Sequence, residues 1–241
     1  MRANIDRAIQ EEQAAWNLLA PLPARESTSF TPTMLGVYYS TKADLVSAAG
    51  QKAWYEKSLA ILLRAREISR AIEKDYDDFQ RAHGGPPISR AANQELYLTL
   101  ANVDMHLGDY PAAVEALRYG KGVNPRTLEY YDGLSVAYST LGDFPSAVVT
   151  MEEKALVDNF QAATMAAIRD LYLKTPEGQC AFVQRAGGWE FNLAGCPRVK
   201  GDVCAAFADL AQTYRDSRSP DNAEQVQTAA TQRYGLSLIH I

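Results

Sequence analysis

A four-residue phrase, Gly108-Asp109-Tyr110-Pro111, returns as Gly142-Asp143-Phe144-Pro145, 34 positions further on. The same shift carries Tyr97 onto Tyr131, Leu100 onto Leu134 and Leu107 onto Leu141. It also carries Ala113-Val114 onto Ala147-Val148, and Val123 onto Val157. A fixed period constrains a chain more tightly than composition does. Each unit is one supersecondary piece that cannot bury its apolar face alone and must pack on neighbours.

Each unit reads as two helices. The first spans roughly 94–107, with Leu100, Val103 and Leu107 as an apolar stripe at 3–4 spacing. Gly108 ends it, because a helix end commonly needs one residue in the left-handed conformation. Pro111 stands in the first turn of the second helix, where a missing N–H is tolerated. That helix turns Ala113, Val114 and Leu117 inward and stops before Asn124-Pro125. The second unit repeats this from Leu128 to Asp158.

This pattern resembles the tetratricopeptide repeat (TPR) family. Its 34-residue helix–turn–helix carries a large residue, then Leu-Gly, Tyr, Ala, a large residue and Pro. In the first unit these slots hold Tyr97, Leu100-Ala101, Asp104, Ala113, Leu117 and Pro125. In the second they hold Tyr131, Leu134-Ser135, Tyr138, Ala147 and Met151, with Asn159 in the Pro slot. Asp104 in place of Tyr predicts looser packing there. Weaker echoes flank the clear pair. Leu35-Gly36-x-x-Tyr39 is followed by an insertion after Ala43-Asp44-Leu45, then by a second helix from Trp54 to about Phe79. Met165, Ile168 and Tyr172 mark a first helix over Ala162–Lys174, whose partner around Ala181 is cut short by Gly187-Gly188. Phe207, Leu210, Ala211 and Tyr214, then Ala223 and Ala230, mark a last pair from near Cys204.

Five units are expected, over 34–80, 93–127, 128–161, 162–186 and 203–235. The resemblance implies an all-α fold, a TPR-type α-solenoid: a right-handed superhelix of antiparallel helix pairs. In domain terms the chain reads as an N-terminal helix and loop at 1–33, then a degenerate unit with a long helix at 34–92. Two clear units follow at 93–161, then degenerate units at 162–235 with a Cys-containing loop at 187–202. The last residues, 236–241, resemble a translated sequencing adapter and read as a non-native tail.

First helices line the concave groove of such a stack. The family's groove positions fall on Leu98, Asn102, Met105 and His106, then on Asp132, Val136, Ser139 and Thr140. The resemblance therefore implies a non-catalytic scaffold that binds another protein or peptide. Some TPR proteins hold acidic C-terminal tails of chaperones with a Lys/Asn/Arg clamp. Here Asn102 alone fits and Leu98 replaces the first Lys, so that partner is rejected. Charge argues the same way. The 241 residues carry a net charge of −5. Residues 93–161 hold 4 basic and 10 acidic residues, a net of −6, so a basic, amphipathic or glycan-bearing ligand suits the groove better. A pI of about 5.3 disfavours nucleic acid.

The arrangement of units also resembles the soluble C-terminal TPR tail of bacterial polytopic membrane glycosyltransferases, whose catalytic acids lie in the membrane part. That alternative places the chain outside the cytoplasm, whereas the N-terminus, with acidic residues where a secretory core would stand, suggests cytoplasm or an internal Met1. No stretch reaches the ~20 apolar residues of a membrane helix. Localisation is left open between the two.

Remaining chemistry is sparse. His83, His106 and His240 have no Ser, Cys or carboxylate arrangement suggesting a nucleophile or a metal. No catalytic residue, metal or cofactor is expected. Asp75-Tyr76-Asp77-Asp78 lacks the Gly and closing Glu of a calcium loop and reads as a solvated helix stretch. Arg64, Arg66, Arg70 and Lys74, interleaved with Glu67 and Glu73, read as a salt-bridged face. The Gly-rich excursion from Gly187 to Asp202 must be held down. A disulfide from Cys196 to Cys180 or Cys204 would do so, and so would three buried thiols packed as small apolar residues.

Overall fold

The computed structural model describes residues 2–84, 93–159, 161–174, 182–185, 188–191 and a set of helical residues between 204 and 231. The chain divides into two compact units, Met1–Asn124 and Pro125–Ile241.

The first unit holds α1 (Arg2–Leu19), a short 3-10 turn (Ala24–Glu26), α2 (Phe30–Leu45), α3 (Ala48–Ala82), α4 (Gln94–Leu107) and α5 (Tyr110–Val123). Helix α2 packs on α1 and α3, α4 packs on both α2 and α3, and α5 packs on α4. Trp16, Leu35 and Ile68 join α1, α2 and α3 in one core, closed by Ile9, Leu19, Ala24, Tyr39 and Ile61. The tightest crossing is at Gly36. A Cβ there would stand 2.5 Å from Leu62 Cγ and Cδ2. The bare glycine also lets Ser58 Oγ reach its carbonyl at 2.7 Å.

The second unit holds α6 (Leu128–Thr140), α7 (Phe144–Val157), α8 (Ala162–Tyr172) and a hairpin of β1 (Phe182–Arg185) and β2 (Gly188–Phe191). Helix α7 packs on both α6 and α8. The two strands pair antiparallel, Phe182 opposite Phe191 and Arg185 opposite Gly188. Further on, Phe207, Ala211, Ala223 and Val226 are helical and buried.

The period of 34 holds at the level of single hydrogen bonds. Gly108 (φ 85°) and Gly142 (φ 77°) both take the left-handed conformation. After them, Asp109 N–H reaches back to Asp104 O at 2.8 Å, and Asp143 N–H to Tyr138 O at 2.9 Å. Gly108 N–H bonds Met105 O, and Gly142 N–H bonds Ser139 O. Together these form a Schellman closure, which satisfies orphan carbonyls at a helix end. The same two aspartates cap the following helices, Asp109 Oδ1 accepting from Ala112 N–H and Asp143 Oδ1 from Ser146 N–H. Pro111 and Pro145 stand in the first turn, as expected. Side chains follow the same period: Tyr97 and Tyr131, Leu100 and Leu134, Ala113 and Ala147, Leu117 and Met151 are all buried.

The helical reading holds for most of the described chain, with four corrections. No insertion follows Leu45: α3 starts at Ala48, with only Val46 and Ser47 between them. The stretch 21–33 is not all loop, since α2 starts at Phe30. Pro32 is accommodated because it stands in the first turn, ahead of the backbone bond from Thr33 N–H to Ser29 O. The second helix expected around Ala181 is absent at Phe182–Arg185, which is a strand, so 162–186 is not a helix pair. The excursion at 187–202 begins as a strand rather than a loop. Phe-Val-Gln-Arg and Gly-Trp-Glu-Phe alternate or enrich aromatic and β-branched residues, which suit a pleated surface. Cys204 is a half-buried free thiol, so a bridge to Cys204 is not formed; Cys180, Cys196 and the tail at 236–241 lie outside the described residues.

Candidate interaction surface

The eight residues expected to line a groove form two equivalent faces. Leu98, Asn102, Met105 and His106 lie on α4 at i, i+4, i+7 and i+8, one side of a helix. Asp132, Val136, Ser139 and Thr140 occupy the same positions of α6, each 34 residues later. The opposite sides are buried: Leu96, Tyr97, Leu100, Val103 and Asp104 on α4, and Tyr130, Tyr131, Leu134, Ala137 and Tyr138 on α6. Of the face residues, Leu98, Asn102, Met105 and Ser139 are half-buried, while His106, Asp132, Val136 and Thr140 are exposed. The two faces belong to different compact units, so each is described by itself.

The α4 face is held at both ends. Asn93 caps the helix, its Oδ1 accepting from Leu96 N–H at 3.3 Å, while its Nδ2 donates to Thr33 Oγ1 of α2 at 2.9 Å. At the other end the His106 ring stacks on Tyr55 of α3, centroids 4.4 Å apart and planes 10° from parallel. The Tyr55 hydroxyl donates to Asp44, and burial followed by that carboxylate raises its pKa. His106 is therefore a packed part of the hairpin edge and not a detached surface side chain. Nothing in the spacing of Asp44, Tyr55 and His106 announces this, because the contact depends on where three helix ends meet.

Behind α4 lies a polar network that joins α3 to α5. Arg70 and Arg66 approach Glu115 at 3.6 and 4.0 Å. Tyr119 donates to Glu73, which also accepts from Ser69 Oγ at 3.2 Å. The Arg70 guanidinium sits 5.3 Å from the centre of the Tyr119 ring. Tyr97 packs against Tyr119, ring centres 4.6 Å apart. Its buried hydroxyl makes no hydrogen bond, although Arg70 and Tyr119 are near enough to oppose the rise in pKa that burial causes. Arg66 and Arg70 thus bridge to another helix, where a salt-bridged face within α3 was expected; Arg64 pairs within it, with Glu67 at 2.9 Å. Asp104 sits at the edge of this network, 6% exposed. Burial and the neighbouring Asp109 push its carboxyl up to about 6, and Arg66 only partly offsets them. The Tyr slot is therefore filled by a buried carboxylate.

The α6 face is built differently. Asp132 is paired with Lys154 of α7 at 2.6 Å, and that lysine side chain is only 14% exposed. Thr140 Oγ1 donates to the Val136 carbonyl at 2.9 Å. Val136 is left 56% exposed, the most open apolar side chain on the face. On the buried side Tyr131 donates to the Pro125 carbonyl at 2.7 Å, fixing the entry to α6.

These contacts relocate the acidity of residues 93–161. Asp104, Glu152 and Glu153 are buried. Asp109 and Asp143 are helix caps, Glu115 and Asp132 are in ion pairs, and Asp158 accepts from Gln161 N–H and Thr164. Glu95 and Glu129 remain exposed, one turn before Leu98 and Asp132, so each face joins apolar and small polar side chains with one open carboxylate. Among the described residues no group of three or more His, Cys, Asp or Glu converges in a way that could hold a metal. No described helix is long and apolar enough to cross a membrane. Compared with known proteins, the chain matches no family model and no curated protein.

Proposed function

We propose that this chain is a non-catalytic scaffold of the tetratricopeptide type, which binds a protein segment on the exposed faces of its first helices. The observation that carries the reading is the pairing of Leu98, Asn102, Met105 and His106 with Asp132, Val136, Ser139 and Thr140 across one period of 34. A repeat that reproduces its buried side also reproduces an accessible side, and apolar atoms left accessible at fixed intervals suit a partner laid along them. Each face takes an amphipathic segment by itself: on α4 apolar side chains rest on Leu98 and Met105 beside Asn102, and on α6 they rest on Val136 beside Ser139 and Thr140. Charge selection at these faces is expected to be weak, because most carboxylates of this region are caps, paired or buried and one on each face, Glu95 and Glu129, stays exposed.

The test is to pan a random peptide library against the full chain and sequence the bound clones. The expected outcome is enrichment of amphipathic peptides whose binding is lost in Val136→Arg and Asn102→Arg. Enrichment of peptides ending in acidic residues, or binding indifferent to both substitutions, contradicts the reading.

A further inference from the structure

Helix α3 is 35 residues long, and its inner seam outruns the helix that covers it. Tyr55, Ser58, Leu62, Ala65 and Ser69, spaced alternately by three and four residues, are all buried. The same spacing continues through Ile72, Tyr76 and Phe79, but these are 39%, 39% and 56% exposed. The change has a geometric cause. Ser58 bonds Gly36 and Tyr55 bonds Asp44, so α2 runs antiparallel to α3. With Phe30 as its first residue, α2 gives out about one turn past Leu62. The open stretch is ordered by its own contacts. Tyr76 and Phe79 rings lie 6.5 Å apart, His83 packs on Phe79 at 4.2 Å, and Gln80 donates to the Tyr76 hydroxyl.

Alternating steps of three and four are those of a helix-on-helix seam, so the open half fits a helix better than an extended strand. The residues beside the seam choose the charge of that helix. Glu73 and Asp75 flank it, while Lys74, Asp77, Asp78 and Arg81 fall on the far half of the helix. Arg81 pairs with Asp78 on that far half at 3.0 Å, and Glu73 is held by Tyr119 and Ser69. Acidic groups still outnumber basic ones beside the seam. A second copy supplies no cation beside the seam: the residues flanking it are Glu73, Asp75, Gln80 and Ala82, so self-pairing meets Asp75 with Asp75, Gln80 or Ala82, where a basic helix would bring an ion pair. An anionic membrane surface is repelled by the same carboxylates.

We propose that the C-terminal half of α3 docks a basic amphipathic helix of a partner protein, about three turns long, over Ile72, Tyr76 and Phe79. This surface is separate from the α4 and α6 faces and differs from them in selecting charge. The probe is a synthetic helical peptide with Leu at the seam positions and Lys beside them, compared with its Leu/Glu counterpart, against the full chain by fluorescence anisotropy. The Lys peptide is expected to bind and the Glu peptide to bind at least about tenfold more weakly. Tyr76→Ser/Phe79→Ser is expected to lose about tenfold in affinity, the size typical of removing aromatic anchors. Asp75→Lys should reduce the preference for Lys over Glu, and all of these comparisons are made in the Asn102→Arg/Val136→Arg background, in which the α4 and α6 faces no longer take up the probe peptides. The proposal is overturned if neither peptide binds, if both bind alike, or if Tyr76→Ser/Phe79→Ser binds as the parent chain does. It is also overturned if the parent self-associates through this stripe, read as a concentration-dependent mass that the double variant loses. The substituted residues are exposed, so unchanged helicity and melting temperature certify the variants as folded.

Discussion

At the residue scale, Gly36 and Asp104 carry the sharpest consequences. Gly36→Ala would place a methyl 2.5 Å from Leu62 Cγ, an atom that cannot swing aside without moving the whole side chain. Overpacking of this kind costs about 1–3 kcal/mol, against a gain of about 1 kcal/mol from helix propensity. A net loss of about 1–2 kcal/mol is expected, read as a lower denaturation midpoint at an unchanged m-value. Asp104 behaves in the opposite sense. Its folded carboxyl titrates near 6, above the ordinary value near 4, so between those values the folded state binds more protons than the unfolded state. Stability from this group therefore falls as pH rises from about 4 to 6 and stays low above it. Asp104→Asn should raise stability at pH 7 by on the order of 1–3 kcal/mol and flatten the stability profile between pH 4 and 6. A variant less stable than the parent at pH 7 would mean that the carboxylate is more firmly paired with Arg66 than its surroundings suggest. The sequence marked Asp104 as a departure from its slot, but only the fold places Asp109, Arg66 and Glu115 around it.

At the element scale, the two repeated turns offer an internal control. Gly108 and Gly142 hold the same left-handed conformation and the same Schellman bonds. Gly108→Ala and Gly142→Ala should each lower stability by about 1 kcal/mol, because an added Cβ disfavours that conformation. Neither site has an atom within 4 Å of the added Cβ, so crowding is not the cause. Unequal losses would show that the turns are not energetic equivalents. The turns were legible in advance because Gly, Asp and Pro act locally. The start of α3, the helical start of α2 and the β1–β2 hairpin were not. The start of α2 depends on the core that Leu35 shares with Trp16 and Ile68, the start of α3 on Trp54 and Tyr55 meeting Tyr39 and Asp44, and the strands on pairing with each other, which no helical period records. The cysteines were read as possible staples. Cys204 is instead a free thiol, so alkylation of the unreduced, denatured chain followed by peptide mapping should label Cys204. An unlabelled Cys204 that reacts only after reduction would contradict the structure.

At the scale of the whole chain, the boundary between the compact units falls at Asn124-Pro125, where the first clear repeat ends. One unit carries the α4 face and the other the α6 face, so the function proposed rests on two patches that a single period generates. The net charge of the chain said little about those patches, because most charges are committed to caps, ion pairs and burial. What survives is a pair of faces with Leu98, Met105 and Val136 as their apolar points and Glu95 and Glu129 as their exposed carboxylates. The most direct test of this account is the affinity of a library-selected amphipathic peptide for the full chain, for the double variant Asn102→Arg/Val136→Arg and for Tyr76→Ser/Phe79→Ser. A loss of about tenfold or more in the first variant, with the second unchanged, is the predicted result. Equal affinity for the parent chain and for Asn102→Arg/Val136→Arg would contradict it.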